Sequence, residues 1–193
     1  MKTSQEIIEK LSLGATIHQE EIPLIDLYMD QVIQLFDAKY GQSLRNEDEK
    51  VLTKTMINNY AKGKLFIPIK NKKYSKQHIM LISLIYQLKG ALSISDIKAT
   101  LDPVNEKIED ESFQLEDFYS SWVRLQQNNA TNFFVELSAH ESEIESEIES
   151  EEIDEELKQI LLIATLSNMS NSYRKAAELL VDDLLVKKEE KKK

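Results

Sequence analysis

The sequence predicts a mainly α-helical protein that contains a small β-hairpin and ends in a C-terminal helical region. Three segments between residues 52 and 101 combine helical spacing of apolar residues with residues that favour helix ends. A short stretch between the first two of these helices instead alternates apolar and basic residues about a turn-prone asparagine. This part of the chain is therefore predicted to contain a helix, a hairpin and two further helices, in that order.

The first of these helices is predicted over residues 53–62. A threonine, Thr53 or Thr55, can cap its free amide groups. Three side chains share the face that would be buried: Met56, Ile57 and Tyr60. Four polar side chains are left on the outside: Lys54, Asn58, Asn59 and Lys62. Gly63 is expected to end the helix with a positive φ.

The hairpin is predicted over residues 68–75, after an extended arm that includes Phe66 and Ile67. Asn71 suits the turn, and three lysines surround it: Lys70, Lys72 and Lys73. A short helix followed by a basic hairpin and two more helices is the layout of a winged helix-turn-helix unit. In such a unit one helix reads the DNA major groove, and the hairpin, or wing, lies on the flanking backbone.

Two helices are predicted after the hairpin. Ser75 is expected to cap the first, which should be the most buried helix of the unit because its apolar stripe is wide. This stripe consists of Ile79, Leu81, Ile82, Leu84, Ile85, Tyr86 and Leu88. Gly90 is expected to end it. Ser93 and Asp96 form a capping box for the next helix, which Pro103 is expected to end.

Spaced residues in this unit resemble the DNA-binding half of the MerR regulators. They are Ile57 to Tyr60, Lys64, Leu65, Pro68, Lys70, Tyr74, Ser75, Leu88 to Ile94, Ile97 and Lys98. More closely, the strings IDLYMDQV, LTKTMINNY and KKYSKQHIMLI are similar to the bacterial domain-of-unknown-function 1836 family, whose members are small and MerR-like. The resemblance covers about residues 22 to 103.

This resemblance implies a recognition helix, a wing and binding to double-stranded DNA, ordinarily through a two-fold dimer. The chain departs from the MerR pattern at two positions. MerR regulators usually carry an arginine and a tyrosine where this chain has Asn58 and Asn59. No single long coiled-coil helix is predicted directly after the unit, so a homodimer and a monomer both remain open.

Charge is divided sharply along the chain. The formal net charge is −10, yet residues 50 to 95 hold nine lysines and no acidic residue, which leaves −19 on the remainder. A positive surface releases condensed counterions when it meets phosphate, and side-chain amides match adenine edges in the major groove. We therefore predict that seven residues contact DNA: Lys54, Asn58, Asn59, Lys62, Lys70, Lys72 and Lys73.

Five regions are predicted along the whole chain: an N-terminal arm at 1–20, the winged helix-turn-helix domain at 21–103, a helical connector at 104–140, an acidic linker at 141–156, and C-terminal helices with a basic tail at 157–193. Within the second region, a helix that opens near Pro23 and turns Tyr28 inward is expected to end at Gly41. Two polar runs, at 126–132 and 167–172, favour a break or bend in the later helices.

Composition disfavours several functional classes. The chain has no cysteine, which excludes disulfides, thiolate nucleophiles and thiolate metal ligands. It has four glycines and lacks a glycine-rich phosphate loop or a serine elbow, so we predict neither enzymatic activity nor a cofactor. Carboxylates at every second residue suit neither a calcium loop nor a zinc site, so no metal is predicted. Without an apolar run long enough for a bilayer, a cytoplasmic location is expected.

These observations lead to a prediction and an alternative. The prediction is a cytoplasmic, sequence-specific DNA-binding transcriptional regulator that uses the helix at 53–62 and the lysine-rich wing at 68–75. The alternative is a non-enzymatic protein-interaction module of winged-helix shape. Its basic face would bind an acidic partner or the chain's own acidic segment, which is similar to nucleic acid in charge density.

Overall fold

A computed structural model describes residues 4–46, 48–110, 113–148 and 154–190. Within these ranges the chain is mainly helical with a two-stranded antiparallel sheet, which confirms the predicted class. The helices are α1 Ser4–Leu11, α2 Met29–Tyr40, α3 Lys54–Lys62, α4 Lys76–Leu88, α5 Ile94–Glu109, α6 Leu115–Glu147 and α7 Glu155–Glu190. The strands are β1 Leu27–Tyr28 and β2 Lys73–Tyr74, and short 3-10 turns lie at Gln19–Glu21 and Gly41–Ser43.

Helix α4 supplies the largest part of the core, as predicted. Every residue from His78 to Ile85 is buried. Neighbouring helices add pairs of buried side chains to the same apolar cluster: Val32 and Phe36 from α2, Ile57 and Tyr60 from α3, and Ile97 and Leu101 from α5. A helix that is apolar on all sides requires neighbours on all sides, and these helices meet that requirement.

The first turns of α6 belong to the same core. Tyr119 is fully buried, and its hydroxyl donates to the carbonyl of Ile17 over 2.7 Å. The amide of Ile17 in turn donates to the hydroxyl of Tyr40 over 3.4 Å. Both backbone groups of a fully buried residue are thus satisfied by tyrosines, as burial demands. Burial raises the pKa of Tyr40 to about 12, so its hydroxyl stays neutral.

Helix α2 begins later than predicted. The expected start near Pro23 is wrong, because residues 27 and 28 form β1 and pair with β2, Leu27 opposite Tyr74 and Tyr28 opposite Lys73. The expected inward orientation of Tyr28 is also wrong, since this residue precedes the helix and is 56% exposed. The predicted end is confirmed, with Gly41 as the C-cap.

The end of α3 uses a different residue for its positive φ than predicted. Gly63 has a φ of −71°, whereas Lys64 has a φ of 55°. The amide of Leu65 donates to the carbonyl of Tyr60 over 3.0 Å, and that of Lys64 to Ala61 over 3.1 Å, which is the Schellman arrangement. A Cβ at position 63 would lie 2.6 Å from the Leu65 side chain, so the glycine provides room rather than conformational freedom.

Helix α5 passes through Pro103, so the predicted end at this proline is wrong. A proline inside a helix removes one backbone hydrogen bond, and the helix continues only where other contacts hold it. Lys188 of α7 provides such contacts, because its ammonium group pairs with Asp102 at 2.8 Å and with Glu106 at 3.2 Å. These carboxylates stand on either side of the proline in sequence.

The polar runs at 126–132 and 167–172 do not break α6 or α7. Serine and threonine hydroxyls in these helices bond to carbonyls four residues earlier instead of terminating the helix. Examples are Thr131 to Gln127 at 3.2 Å and Ser167 to Ile163 at 2.7 Å. The acidic stretch is helical through Glu147, which differs from the linker interpretation, and residues 149–153 lie outside the described ranges.

Candidate nucleic-acid interface

Helix α3 presents the predicted polar face to solvent. The hydroxyl of Thr53 accepts a hydrogen bond from the Met56 amide over 3.1 Å, so this threonine is the cap. With Ile57 and Tyr60 turned into the core, five residues of the helix are exposed: Lys54, Thr55, Asn58, Asn59 and Lys62. Lys54, Asn58 and Lys62 are four residues apart and therefore follow one face of the helix. Neither asparagine is used in the core.

The predicted hairpin is a tight turn at residues 70–73. The amide of Lys73 donates to the carbonyl of Lys70 over 3.0 Å, and the two central residues, Asn71 and Lys72, have φ values of 53° and 58°. Two consecutive positive φ angles are typical of a type I′ turn. Lys70 and Lys72 are exposed, and Lys73 is half-buried. The turn is as predicted, but β2 takes β1 as its strand partner, and Lys70 contributes a single bridge to Lys73.

Helix α3 and the turn meet at the start of α2. The ammonium group of Lys54 lies 2.7 Å from the carboxylate of Asp30, in the first turn of α2. The ammonium group of Lys73 lies 5.2 Å from the centre of the Tyr28 ring, and Tyr28 is the N-cap of the same helix. Two contacts therefore place the beginning of α3 and the base of the lysine turn beside neighbouring residues of one helix end.

The lysines of this region differ in how freely they can reach a ligand. The pair between Lys54 and Asp30 is 65% and 66% exposed, so solvent weakens it and an anion can replace it at small cost. Lys73 is partly held by the Tyr28 ring through a cation–π contact. In the described part of the chain, Lys70 and Lys72 form no ion pair. The tip of the turn is thus the most available source of positive charge.

Lys89 belongs to the basic stretch of the sequence but not to this surface. Its ammonium group donates to the carbonyl of Val51 over 2.9 Å and lies 4.3 Å from the centre of the Tyr86 ring. Burial lowers the pKa of Lys89, which agrees with a structural role between α4 and the segment before α3. Charge counted along the sequence therefore overstates the charge that the surface displays.

Two residues of the site, Tyr28 and Asp30, were not predicted from the sequence. Both lie more than twenty residues before α3, in the string IDLYMDQV that carries the family resemblance but assigns no DNA contact to either residue. Their role depends on the pairing of β1 with β2, which local patterns do not reveal. The sequence indicates strand β1 only through the alternation of a buried and an exposed residue at Leu27 and Tyr28, and two residues are too few to predict a strand.

The structure also bears on metals and membranes. In the ranges that it describes, no three histidine, aspartate or glutamate side chains converge as metal ligands. None of the described helices combines the length and the apolar content that a membrane span requires.

Comparison with known proteins identifies the family of this chain. Searches among curated proteins and among solved structures return no significant match. A family model described as a domain of unknown function, DUF1836, matches residues 17–122. This span includes α2 to α5 and the buried start of α6, and it covers more than half of the 193 residues. The chain therefore belongs to the DUF1836 family.

Proposed function

We propose that this protein is a sequence-specific DNA-binding transcriptional regulator of the winged helix-turn-helix type, with a layout similar to that of MerR regulators. Helix α3 lies in the major groove, and the turn at residues 70–73 lies on the adjoining phosphate backbone. The observation that carries this proposal is the meeting of α3 and the turn at the start of α2, through Lys54 with Asp30 and Lys73 with Tyr28.

Each part of this surface offers a contact that duplex DNA requires. Asn58 and Asn59 are exposed, and a side-chain amide presents the donor and acceptor that match the major-groove edge of adenine. Lys62, Lys70 and Lys72 are exposed cations of the kind that neutralise phosphates. Lys54 exchanges its exposed partner Asp30 for a phosphate oxygen, which costs little because the existing pair is weak.

The remaining charge favours a single orientation on DNA. Outside residues 50 to 95 the chain carries a formal charge of −19, so faces built from the other segments repel a polyanion. The surface formed by α3 and the turn at residues 70–73 is therefore the one that attracts DNA. A strongly acidic protein can in this way bind DNA through one surface without binding it indiscriminately.

The double substitution Lys70→Ala and Lys72→Ala tests the proposed backbone contacts. Selection from a random duplex pool first supplies a binding site, and fluorescence anisotropy then measures affinity across a range of salt concentrations. We expect the double variant to bind more weakly at low salt, with a logarithmic salt slope shallower by about two, because two phosphate contacts are lost. The matched control is Lys175→Ala with Lys187→Ala, two exposed lysines of α7, which should leave the slope unchanged.

Two results would contradict this proposal. One is an equal reduction of the salt slope in both double variants, which would indicate attraction by net charge alone. The other is binding to poly-glutamate as tight as binding to duplex DNA at the same ionic strength, which would favour the protein-interaction module.

The substitution Asn58→Ala tests base readout. The variant removes an amide without changing charge, so we expect it to keep the salt slope and to lose preference at one base pair of the selected site. Competition between the selected duplex and single-base variants measures this preference. Asn168→Ala, on the exposed middle of α7, is the matched control. An unchanged preference profile in Asn58→Ala would remove this residue from the reading of sequence.

A further inference from the structure

An exposed apolar tip, formed by Leu24 and Ile25, lies just before β1. Leu24 is 92% exposed and Ile25 is 72% exposed, the two highest values among the exposed large apolar side chains of the described residues. Single exposed apolar side chains are ordinary on a protein surface. Two neighbours that are both this exposed instead form a small apolar patch, and such patches often mark a contact with another surface.

The residues on either side hold this apolar tip outward. Ile22 is 3% exposed and Leu27 is 6% exposed, so both belong to the core. Pro23 restricts the backbone next to Ile22. Leu27 is also paired with Tyr74 across the two-stranded sheet. Turning the tip inward would require the release of a core residue, so its exposure is built into the fold.

Cations lie in the same region as the apolar tip. Tyr28 is 56% exposed, and the ammonium group of Lys73 lies 5.2 Å from the centre of its ring. Ile25 precedes Tyr28 by three residues, a separation of at most about 11 Å between their Cα atoms. Lys70 and Lys72, in the same turn as Lys73, are exposed. An aliphatic pair, a tyrosine and the lysine turn therefore share one part of the surface.

The acidic groups of this region do not cancel its positive charge. Asp30 is paired with Lys54 at 2.7 Å. Asp26 is exposed beside the apolar tip, but the three lysines of the turn outnumber it. The segments outside residues 50 to 95 carry a formal charge of −19 and repel an anionic surface. Such a surface is therefore attracted mainly to the region that also displays the apolar tip.

We propose that this region docks on an anionic lipid surface, with the apolar tip between the head groups and the acyl chains and the lysine turn on the lipid phosphates. Burial of apolar area and attraction of lysines to anionic lipids act together in such binding. Tyr28 suits the same layer because its ring is amphipathic. This contact involves one leaflet and does not span the membrane.

A lipid surface fits the apolar tip better than a nucleic acid does. Duplex DNA offers phosphates to the lysines, but it admits an aliphatic side chain only when neighbouring bases are unstacked. A lipid layer accepts Leu24 and Ile25 without that cost. The proposal does not depend on DNA binding, because the apolar tip has no part in the proposed reading of sequence.

Sedimentation of the full chain with vesicles tests the chemistry of this surface. Vesicles of phosphatidylcholine alone are compared with vesicles of equal parts phosphatidylcholine and phosphatidylglycerol, and we expect binding to the anionic vesicles only. Leu24→Ser with Ile25→Ser removes apolar area without changing charge, so partitioning should fall about tenfold. The matched control is Leu179→Ser with Leu180→Ser, two residues of α7 that are 67% and 66% exposed, and it should partition like the wild type.

Tryptophan fluorescence locates the inserted residue. The emission of Leu24→Trp should shift to shorter wavelength when anionic vesicles are added, whereas that of Leu179→Trp should not. Trp122 is present in both variants, so the difference between them reports the introduced ring. No binding to anionic vesicles, equal losses in the two double serine variants, or equal shifts in the two tryptophan variants would overturn the proposal. So would a Leu24→Ser with Ile25→Ser variant that keeps vesicle binding but loses affinity for selected duplex DNA, since the tip would then contact nucleic acid.

Discussion

Replacing Tyr119 with phenylalanine is expected to lower the free energy of unfolding by about 1–3 kcal/mol. The substitution keeps the aromatic ring in the core but removes the hydroxyl that donates to the carbonyl of Ile17 over 2.7 Å. Ile17 is fully buried, so water cannot take the place of the lost donor. Urea unfolding followed by circular dichroism measures the change, which should appear as a lower midpoint with an unchanged slope.

Tyr173→Phe is the matched control, because Tyr173 is 59% exposed and lies outside the buried core. Its effect on the free energy of unfolding should be close to zero. If the two substitutions lower the free energy of unfolding by similar amounts, the hydrogen bond from Tyr119 to Ile17 contributes nothing beyond the general effect of removing a tyrosine hydroxyl.

The two residues joined by this hydrogen bond both lie within the span that the family model matches. The matched span runs from residue 17 to residue 122, and Ile17 and Tyr119 lie near its two ends. The core joins them across more than a hundred residues of chain, so the start of α6 is part of the same packed unit as α2 to α5. A unit that ended at Pro103 would leave Ile17 without the donor for its carbonyl.

Features that depend on neighbours in sequence could be predicted from the residues alone. The cap of α3 by Thr53, the exposure of Asn58 and Asn59, the burial of α4 and the capping box of Ser93 with Asp96 all follow from helical spacing and end signals. Such features depend on residues that lie within one or two helical turns of each other in the sequence. The seven predicted contact residues therefore lie on the expected elements, six of them exposed and Lys73 half-buried.

Features that depend on tertiary pairing could not be predicted in the same way. The pairing of β1 with β2 involves two residues from each strand, separated by more than forty residues, and so short a strand has no periodicity. The continuation of α5 through Pro103 is accompanied by contacts that are distant in sequence, such as the pair of Asp102 with Lys188, which lies 86 positions later. Local signals indicate where a helix can end, whereas packing decides whether it does.

Replacing His78 with glutamine is expected to lower the free energy of unfolding by about 1–3 kcal/mol near pH 7.5. The Nδ1 atom of His78 lies 3.1 Å from the backbone amide nitrogen of Ser75 and accepts its proton. The ring proton then resides on Nε2, which donates to the carbonyl of Ile67 over 3.2 Å. Glutamine at this third helical position preserves the capping box but not the bond to Ile67, in the arm that leads to the lysine turn.

The same residue should make stability depend on pH. Burial lowers the pKa of His78 from its ordinary value of 6.5, and this effect exceeds the opposing influence of the Ile67 and Pro68 carbonyls and of Asp26. The unfolded chain therefore takes up the proton at a higher pH than the folded chain does. Stability from neutral His78 is complete above about pH 6.5 and is lost as the pH falls through 6.5 toward the lower folded value.

Unfolding free energies measured between about pH 7.5 and pH 5.5 separate this contribution from other titrations. We expect the wild-type protein to lose stability more steeply than His78→Gln, so that the difference between them shrinks as the solution becomes more acidic. The control is Asn168→Ala, which removes no titratable group from the exposed part of α7, so its pH profile should run parallel to that of the wild type. A protonated Nδ1 cannot accept the Ser75 amide proton, so protonation of His78 should weaken the folded state. Parallel pH profiles for the wild type and His78→Gln would therefore contradict the assigned hydrogen bonds of His78.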